Sequence, residues 1–235
     1  MIYLALTTTD ASDWRAKINE IDELNLSEIS LFPTVLSSDK RQELYILLEK
    51  TQLKKAPFVH LRHDMYGEEI DYLINRWGTK VFCTHSRPDS IEVLRQDTRL
   101  ARMTAVENAC HIDKYFLEAL KISPRICLDI SHYHDKYFLQ KKNEYNIVKD
   151  ALNNYPVLCN HVSAIQVDPF SEYQIEEGIN ELIYESHTFS NLNEFDYIVH
   201  YKKYLSKYIA VEVENTFLEQ LKAKKYIKKV LNCSR

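Results

Sequence analysis

The sequence predicts a (β/α)8 barrel, and two observations favour this fold class. Eight short apolar runs recur along the 235 residues, and amphipathic, charge-bearing segments lie between most of them. Strands that alternate with helices of this length pair in parallel through right-handed crossovers. Eight such units in a chain of this size fit a closed barrel. We therefore expect one barrel domain over residues 1–235.

The strands and helices can be read in order along the chain. The predicted strands lie in IYLALTT (2–8), SEISLFPT (27–34), PFVHLRHD (57–64), KVFCTHS (80–86), MTAVENA (103–109), RICLDISH (125–132), part of VLCNHVSAIQVD (157–168) and YIAVEVEN (208–215). Helical patterns include DKRQELYILLEKTQ, GEEIDYLINRW, SIEVLRQD, IDKYFLEALK, KNEYNIVKDALNN, NEFDYIVHYKKYL and LEQLKAKKYIKKVL. An open doubly wound sheet is the competing fold, but it would place a glycine-rich phosphate turn where this sequence has TTTDASD.

Composition limits the classes of partner. The net charge is −4, and Lys and Arg are scattered except in the last helix, so nucleic acid is disfavoured as a partner. No segment approaches the ~20 apolar residues of a membrane span. The N-terminal MIYLALTTTDASDW has no basic flank and too short an apolar run for a signal peptide. We therefore expect a cytoplasmic protein with no membrane partner.

Cysteine usage also fits a reducing compartment. The five cysteines are odd in number, widely spaced and mostly inside apolar strands, which predicts reduced thiols in the core. They are Cys83, Cys110, Cys127, Cys159 and Cys233. No Cys-x-x-Cys pair indicates a structural zinc site.

The inner faces of the later strands carry acidic residues at their C-terminal ends. Alternate side chains of a barrel strand point inward, and functional residues gather at the C-terminal strand ends. This alternation places Asp129 inside, with His132 where its strand ends. It likewise places Glu107 inside in MTAVENA, and Glu212 and Glu214 inside in YIAVEVEN.

Two earlier strands add imidazole and guanidinium groups. Their predicted inward residues are His60 and Arg62 in PFVHLRHD, and Cys83 and His85 in KVFCTHS. An inward Arg needs an anionic partner, either a carboxylate or a substrate. His111, His134 and His200 are expected on the surface.

A ring of buried charges requires compensation, and a divalent cation supplies it. An isolated ionised carboxylate inside a barrel would cost several kcal/mol or change its pKa. Carboxylate and imidazole ligands on separate strands suit Mn²⁺, Zn²⁺, Co²⁺ or Mg²⁺, and the imidazoles favour transition metals over calcium. The sequence therefore predicts a divalent metal cofactor.

Several short motifs carry a family resemblance. AVEN, CLDISH, HVS, ESH and a late VEVEN occur in this order over nearly the whole chain. They resemble the xylose-isomerase-like TIM-barrel superfamily, which includes sugar and sugar-phosphate isomerases and epimerases, inositol-pathway enzymes and the AP-endonuclease family.

The resemblance implies roles for individual residues. The metal ligands would be Glu107, Asp129, His161 and Glu212, and Glu107 and Glu212 would also transfer the proton in catalysis. The implied substrate-binding residues are His132, His187, Arg62, His85 and His60, and the additional candidates are Glu185, Glu214, Gln166 and Asp168.

The seventh strand departs from the family pattern. The family motif is His-x-x-Asp, whereas HVSA has Ala164 in the place of the acid. HVS favours His161 as the ligand, which would turn Asn160 toward the helices. If SAIQVD is the strand instead, Gln166 and Asp168 point inward. The chain also has only three glycines, so a phosphorylated substrate, commonly held by glycine-bearing loops, is less expected.

The resemblance implies a metal-dependent isomerase or epimerase that acts on a small carbohydrate or polyol through an enediolate stabilised by the metal. One alternative is an AP-endonuclease-like phosphodiesterase, for which His85, Glu185 and His187 would supply additional ligands. A second alternative is a degenerate barrel that acts as a binding module. The resemblance also implies that the chain can form a homo-oligomer.

Overall fold

Eight parallel strands close into a barrel. The computed structural model describes residues 1–9, 12–109, 112–174 and 179–233. Its strands are β1 (Ile2–Thr7), β2 (Ser30–Phe32), β3 (Phe58–His60), β4 (Val81–His85), β5 (Thr104–Glu107), β6 (Ile126–Asp129), β7 (Val157–Val162), β8 (Ala164–Gln174), β9 (Ile179–Ser186) and β10 (Tyr208–Val211). β8 and β9 form a separate two-stranded sheet, and the other eight form the barrel, so the predicted (β/α)8 fold is confirmed.

Helices follow the barrel strands along the chain. They are α1 (Trp14–Glu23), α2 (Ser38–Leu48), α3 (Glu68–Trp77), α4 (Pro88–Gln96), α5 (Thr98–Met103), α6 (Lys114–Ile122), α7 (Ile130–Tyr133), α8 (Asn146–Asn154) and α9 (Phe217–Cys233). A π-helical turn, His134–Leu139, continues α7, and a 3-10 helix, Leu192–Tyr204, precedes β10. Among the described residues, no helix has the length and apolar character needed to cross a membrane.

The order of strands places sequence neighbours side by side. Around the barrel the order is β1-β10-β7-β6-β5-β4-β3-β2, with β2 paired back to β1. The register aligns His85 with Glu107 and Asp129 with His161 across neighbouring strands. The parallel strands therefore bring their functional C-terminal ends to one rim of the barrel.

The alternation of side chains divides the core into layers. Small and aromatic residues fill the barrel interior in one buried cluster: Ala5, Phe32, Phe58, Val81, Cys83, Ala105, Cys127, Cys159 and Ala210. The opposite faces of the same strands carry residues such as Val106, Leu128 and Val211, which pack against the surrounding helices. Removal of this apolar surface from water stabilises the fold.

Asn160 faces the helix layer, as expected if its neighbour His161 points into the barrel as a ligand. The side chain is buried, and its amide nitrogen donates to the carbonyl oxygens of Leu128 and Tyr204, both at 3.3 Å. Its amide oxygen accepts from the backbone N–H of Ser206 at 2.7 Å. These bonds satisfy a polar group in an apolar layer.

The β8–β9 hairpin corrects one reading of the seventh strand. The barrel strand is β7, which contains His161, and the following residues turn out of the barrel into an antiparallel pair. Gln166 donates to a carboxylate oxygen of Glu194 at 2.9 Å, and Asp168 is exposed to solvent. Neither residue points into the barrel, because β8 pairs only with β9.

The expectations for the isolated histidines and for two cysteines have different outcomes. His200 is exposed as expected, whereas His134 is buried, so that prediction was wrong. Its Nδ1 lies 2.9 Å from the Tyr201 hydroxyl, and its ring packs on Phe138. Cys110, His111 and the side chain of Cys233 lie outside the described residues.

Candidate metal centre

Four side chains from four strands converge at the C-terminal rim of the barrel. Glu107 ends β5, Asp129 ends β6, His161 lies in β7 and Glu212 directly follows β10. His161 Nδ1 is 2.8 Å from a Glu212 oxygen, 3.4 Å from a Glu107 oxygen and 3.8 Å from Asp129 Oδ2. The three carboxylates proposed as metal ligands from the sequence therefore surround one ring nitrogen of the fourth, His161.

Asp129 is held by one oxygen and leaves the other without a hydrogen bond. Its Oδ1 accepts from the backbone N–H of His132 at 2.8 Å and so caps α7. Its buried Oδ2 accepts no hydrogen bond. Burial, together with the charges of Glu212 and Glu107, raises the pKa of Asp129 to about 7. A cation beside Oδ2 would give this oxygen a partner and would offset the repulsion from Glu212 and Glu107.

Glu107 lies among three imidazoles. Its two carboxylate oxygens are 2.9 Å from His60 Nε2 and 3.7 Å from His85 Nε2, in addition to the His161 contact. Burial alone would raise the pKa of this carboxyl, but the charges of His161, His85 and His60 outweigh it and hold the pKa well below the usual value. Glu107 is therefore a carboxylate in the folded protein.

The contact of His60 with Glu107 has the geometry of two ligands on one ion. His60 Nδ1 lies 2.9 Å from the Leu61 carbonyl oxygen, which can only accept, so Nδ1 carries a proton. A proton on Nε2 would make its 2.9 Å contact with Glu107 a hydrogen bond. Without that proton both atoms are acceptors, and two acceptors about 3 Å apart are favourable when they bind the same cation at a right angle with bonds of about 2.1 Å.

Glu212 and His187 form the far side of the site. The Glu212 side chain is 12% exposed, and His187 Nδ1 lies 3.1 Å from the Glu212 carbonyl oxygen. Burial would raise the pKa of Glu212, but His161 and then His187 lower it to about 2. Burial would lower the pKa of His187, but Glu185 and Glu212 raise it to about 10.

Glu185 joins His132 and His187 next to Asp129. One Glu185 oxygen is 3.9 Å from His132 Nδ1, and the other is 3.7 Å from His187 Nε2. His132 Nε2 is in turn 3.7 Å from Asp129 Oδ2. The ESH motif thus reaches the rim from the end of β9, although β9 is not a barrel strand.

Two of the sequence candidates lie apart from this centre. Glu214 accepts a hydrogen bond from the Thr9 hydroxyl and belongs to none of the donor groups among the described residues. Glu214 lies three residues beyond Val211, where β10 ends. Arg62 binds Asp64 at 3.0 Å and the Thr34 carbonyl oxygen at 2.6 Å.

A cleft opens beside the metal centre. Its volume is about 480 Å³, and its lining includes Thr34, Arg62, His63, His85, Arg87 and Ser90. His60 lines the same cleft, so the cleft reaches the Glu107 side of the centre. Of the two guanidinium groups in its wall, that of Arg62 is paired with Asp64.

Two supporting residues were not identified from the sequence. Asn108 donates to the Asp129 carbonyl oxygen at 2.9 Å and accepts from the Asp129 backbone N–H at 2.8 Å. Tyr197 donates to the Ser163 carbonyl oxygen at 2.8 Å. The AVEN motif was a signal for Asn108, whereas the helical pattern that contains Tyr197 gave none.

Comparisons with known proteins agree with the architecture. No family model matches the sequence, and no curated protein matches it. Among solved structures, a xylose isomerase-like TIM barrel protein from Mycobacterium smegmatis, determined in complex with magnesium, matches with a TM-score of 0.50. The match covers 98% of this chain and 97% of that chain, at 11% sequence identity. This chain shares the TIM barrel fold of that protein.

The residues present fit a divalent cation. Donor atoms within 4.8 Å of one another occur in Asp129, His161 and Glu212, and also in Glu107, Asp129 and His132. Oxygen and nitrogen donors on rigid strands are suitable ligands for Mg²⁺, Mn²⁺, Co²⁺ or Zn²⁺. The buried Asp129 Oδ2 and His161 Nδ1, neither with a hydrogen-bond partner, are the atoms that such an ion would satisfy.

Proposed function

We propose that this chain is a divalent-metal-dependent isomerase or epimerase that acts on a sugar or a related polyol. The observation that carries the proposal is the convergence of Glu107, Asp129, His161 and Glu212 on one point of the rim, with Asp129 Oδ2 lacking a hydrogen bond. The fold shared with the Mycobacterium smegmatis protein, which binds magnesium, supports the same reading.

These four side chains would hold the ion and also perform the chemistry. A bound divalent ion would supply a Lewis acid for adjacent carbonyl and hydroxyl oxygens of an open-chain sugar. Glu107 and Glu212 approach His161 Nδ1 from different parts of the rim, so two carboxylates would lie beside a substrate bound to that ion. One carboxylate removes the proton from carbon and the other returns it.

The neighbouring residues would orient the substrate. His132 and His187 lie on the Glu185 side and can bind substrate hydroxyls. The cleft beside His60 and His85 can receive the distal end of the chain, and Arg62 in its wall can bind an anionic group there.

The experiment replaces Glu107 or Glu212 by Gln in metal-loaded protein. We expect each variant to lose exchange of solvent deuterium into the substrate carbon by ~100-fold or more, measured by NMR on a panel of ketoses and aldoses. Glu214→Gln is the matched control, because Glu214 ends the same strand region but contacts Thr9. Exchange at the wild-type rate in both Glu107→Gln and Glu212→Gln would refute the proton-transfer roles.

A second candidate function is phosphoester hydrolysis by more than one ion, and two further donor groups favour it. His60, His85 and Glu107 hold donors within 4.8 Å of one another. His132 and His187 flank Glu185 at 3.9 and 3.7 Å. Together with the central group they offer room for several ions that share Glu107 and Asp129.

Metal stoichiometry separates the two functions. One ion per chain at the rim without hydrolysis of bis-(p-nitrophenyl) phosphate supports the isomerase, and two or three ions at the rim with hydrolysis of this ester support the hydrolase. The net charge of −4 favours a small phosphoester over nucleic acid as the substrate of such a hydrolase. A chain that binds no ion, and whose melting temperature does not rise with added Mn²⁺, Co²⁺ or Zn²⁺, would be a binding module.

A further inference from the structure

Three cysteine thiols lie one layer below the metal centre. Cys83, Cys127 and Cys159 each precede an inward residue of the rim by two positions, namely His85, Asp129 and His161 on β4, β6 and β7. Alternate residues of a strand point to the same side, so the thiols lie directly beneath these groups. All three are reduced and fully buried. We call Cys83, Cys127 and Cys159 the thiol layer.

The thiol layer differs from an ordinary small-residue core. Ala105 and Ala210 belong to the same interior cluster, so the layer can be filled without sulfur. Cys127 and Cys159 are aligned across neighbouring strands, and Cys83 Sγ lies 3.2 Å from His161 Nε2. The sulfur atoms are thus gathered around an imidazole that also belongs to the metal centre.

His161 presents one ring nitrogen to each layer. Its Nδ1 faces the carboxylates of Glu212 and Glu107, and its Nε2 faces Cys83. Ligand atoms of Cys83, Cys127, Glu107 and His161 all lie within 4.8 Å of one another, and all four residues are buried. Two thiolates, an imidazole and a carboxylate form a ligand set that selects zinc and similar soft cations.

We propose that Cys83, Cys127, Glu107 and His161 Nε2 form a second cation site, specific for a thiophilic divalent ion such as Zn²⁺. Tetrahedral zinc with bonds of about 2.0–2.3 Å needs ligand atoms about 3.3–3.8 Å apart, so the four donors need only close by small side-chain rotations. Binding releases the two thiol protons to solvent and changes no oxidation state.

This site would be distinct from the carboxylate centre and coupled to it. An ion on Nε2 leaves the ring proton of a neutral His161 on Nδ1, 2.8 Å from a Glu212 oxygen, so while this ion is bound the rim ion would be held by Glu107, Asp129 and Glu212 alone. Glu107 has two oxygens and can serve both layers. The thiol-layer ion therefore fixes the orientation of a residue that the proposed reaction uses.

Cobalt substitution tests the site independently of enzymatic activity. The reduced protein is stripped with a chelator and loaded with Co²⁺, and the near-ultraviolet spectrum is examined for thiolate-to-cobalt charge transfer. We expect this absorption in the wild type and in Asp129→Asn, which alters only the carboxylate centre. We expect its loss in Cys83→Ala and in Cys127→Ala, with one fewer zinc ion per chain by elemental analysis.

Cys159→Ala is the matched control, because Cys159 is an equally buried thiol of the same layer that lies outside the four-donor group. It should retain the charge-transfer absorption, and circular dichroism should show that all three alanine variants are folded. If Cys83→Ala or Cys127→Ala does not fold, the wild-type spectrum and its titration with Zn²⁺ decide the question.

A cobalt protein without sulfur charge transfer would overturn the proposal. So would an absorption that survives both Cys83→Ala and Cys127→Ala, or one that Cys159→Ala removes equally. Loss of deuterium exchange with an intact cobalt–sulfur spectrum would refute the isomerase and leave this site standing.

Discussion

Asp129 concentrates the electrostatic cost of the site in one side chain. It is fully buried, its Oδ2 has no hydrogen bond, and the carboxylates of Glu107 and Glu212 lie near it. An ionised group in this position is unfavourable unless a cation compensates it. The same side chain therefore destabilises the metal-free protein and binds the ion in the loaded protein.

Asp129→Asn should stabilise the metal-free protein while it abolishes metal binding at the rim. The pKa of Asp129 is raised from 3.8 to about 7 in the folded chain, so the folded state holds a proton that the unfolded state has lost between these values. The free energy of unfolding of the wild type consequently falls as the pH rises from about 4 to 7. The variant has no carboxyl group at position 129, so its stability does not fall for this reason. We expect a gain of about 2 kcal/mol at pH 7 for the metal-free variant.

Urea unfolding in chelator at several pH values measures this gain, and Mn²⁺ titration followed by melting temperature measures the lost binding. Asp113→Asn is the control, since Asp113 also caps a helix, accepting from Tyr115 N at 2.8 Å, but is exposed. A metal-free Asp129→Asn protein less stable than the wild type at pH 7 would contradict the explanation.

At the scale of the element, buried amides join strands to their surroundings. Asn160 connects β7 to the Leu128 carbonyl of β6 and to the chain that enters β10 at Ser206. Its neighbour His161 points to the opposite side and enters the site. One residue therefore fixes the register and direction of the strand that carries a central ligand.

Asn160→Ala should cost about 2 kcal/mol, because it leaves the Ser206 N–H without its bond and removes the donor for two carbonyl oxygens. The shift of the urea midpoint measures the loss. Asn154→Ala is the control: the Asn154 amide donates to the Asp150 carbonyl at 2.9 Å on an exposed helix. Equal midpoints for the two variants would show that the buried amide has no structural role.

The sequence predicted site residues correctly where the alternation of inward and outward side chains along a strand agrees with their burial. Glu107 and Asp129 could be placed because each ends a short strand of alternating direction, and both reach the rim. The β8–β9 hairpin could not be anticipated, because SAIQVD alternates like a barrel strand and its antiparallel partner lies elsewhere in the chain. Glu185 and His187 reach the site only through that hairpin.

The contacts between the rim residues and the thiol layer could not be predicted from the sequence either. Alternation predicts that Cys83 and His161 both point inward, but not that His161 directs Nε2 toward the Cys83 sulfur. That direction depends on Phe32 and Phe58, whose rings pack against the imidazole with centroids 4.9 and 5.4 Å away. Side-chain packing from four strands decides it, and no local pattern records this packing.

At the scale of the whole molecule, one residue of the last helix bridges the first and last strands of the barrel. β1 and β10 are aligned over only three residue pairs, from Ile2 with Ile209 to Leu4 with Val211. Beyond them, Gln220 of α9 accepts from the Ala5 N–H at 2.8 Å and donates to the carbonyl oxygens of Ala5 and Val213, both at 3.0 Å. A side chain thus connects the two strands beyond their last aligned pair.

Gln220→Met keeps the shape of this side chain and removes its hydrogen bonds, so several buried backbone groups lose their partner. We expect a loss of about 3 kcal/mol in the free energy of unfolding, measured in urea. Gln96→Met is the control, because Gln96 is exposed and its amide donates only to Glu92 among the hydrogen bonds of the described residues.

The same substitution should weaken the metal centre. Val213 is the residue directly after Glu212, and Gln220 donates a hydrogen bond to the Val213 carbonyl oxygen. We expect the Mn²⁺ affinity of Gln220→Met to fall by roughly tenfold, which corresponds to about 1.4 kcal/mol. A variant that is destabilised but binds Mn²⁺ as the wild type does would separate barrel closure from the position of Glu212. Unchanged stability would instead show that three paired residues suffice to close the barrel.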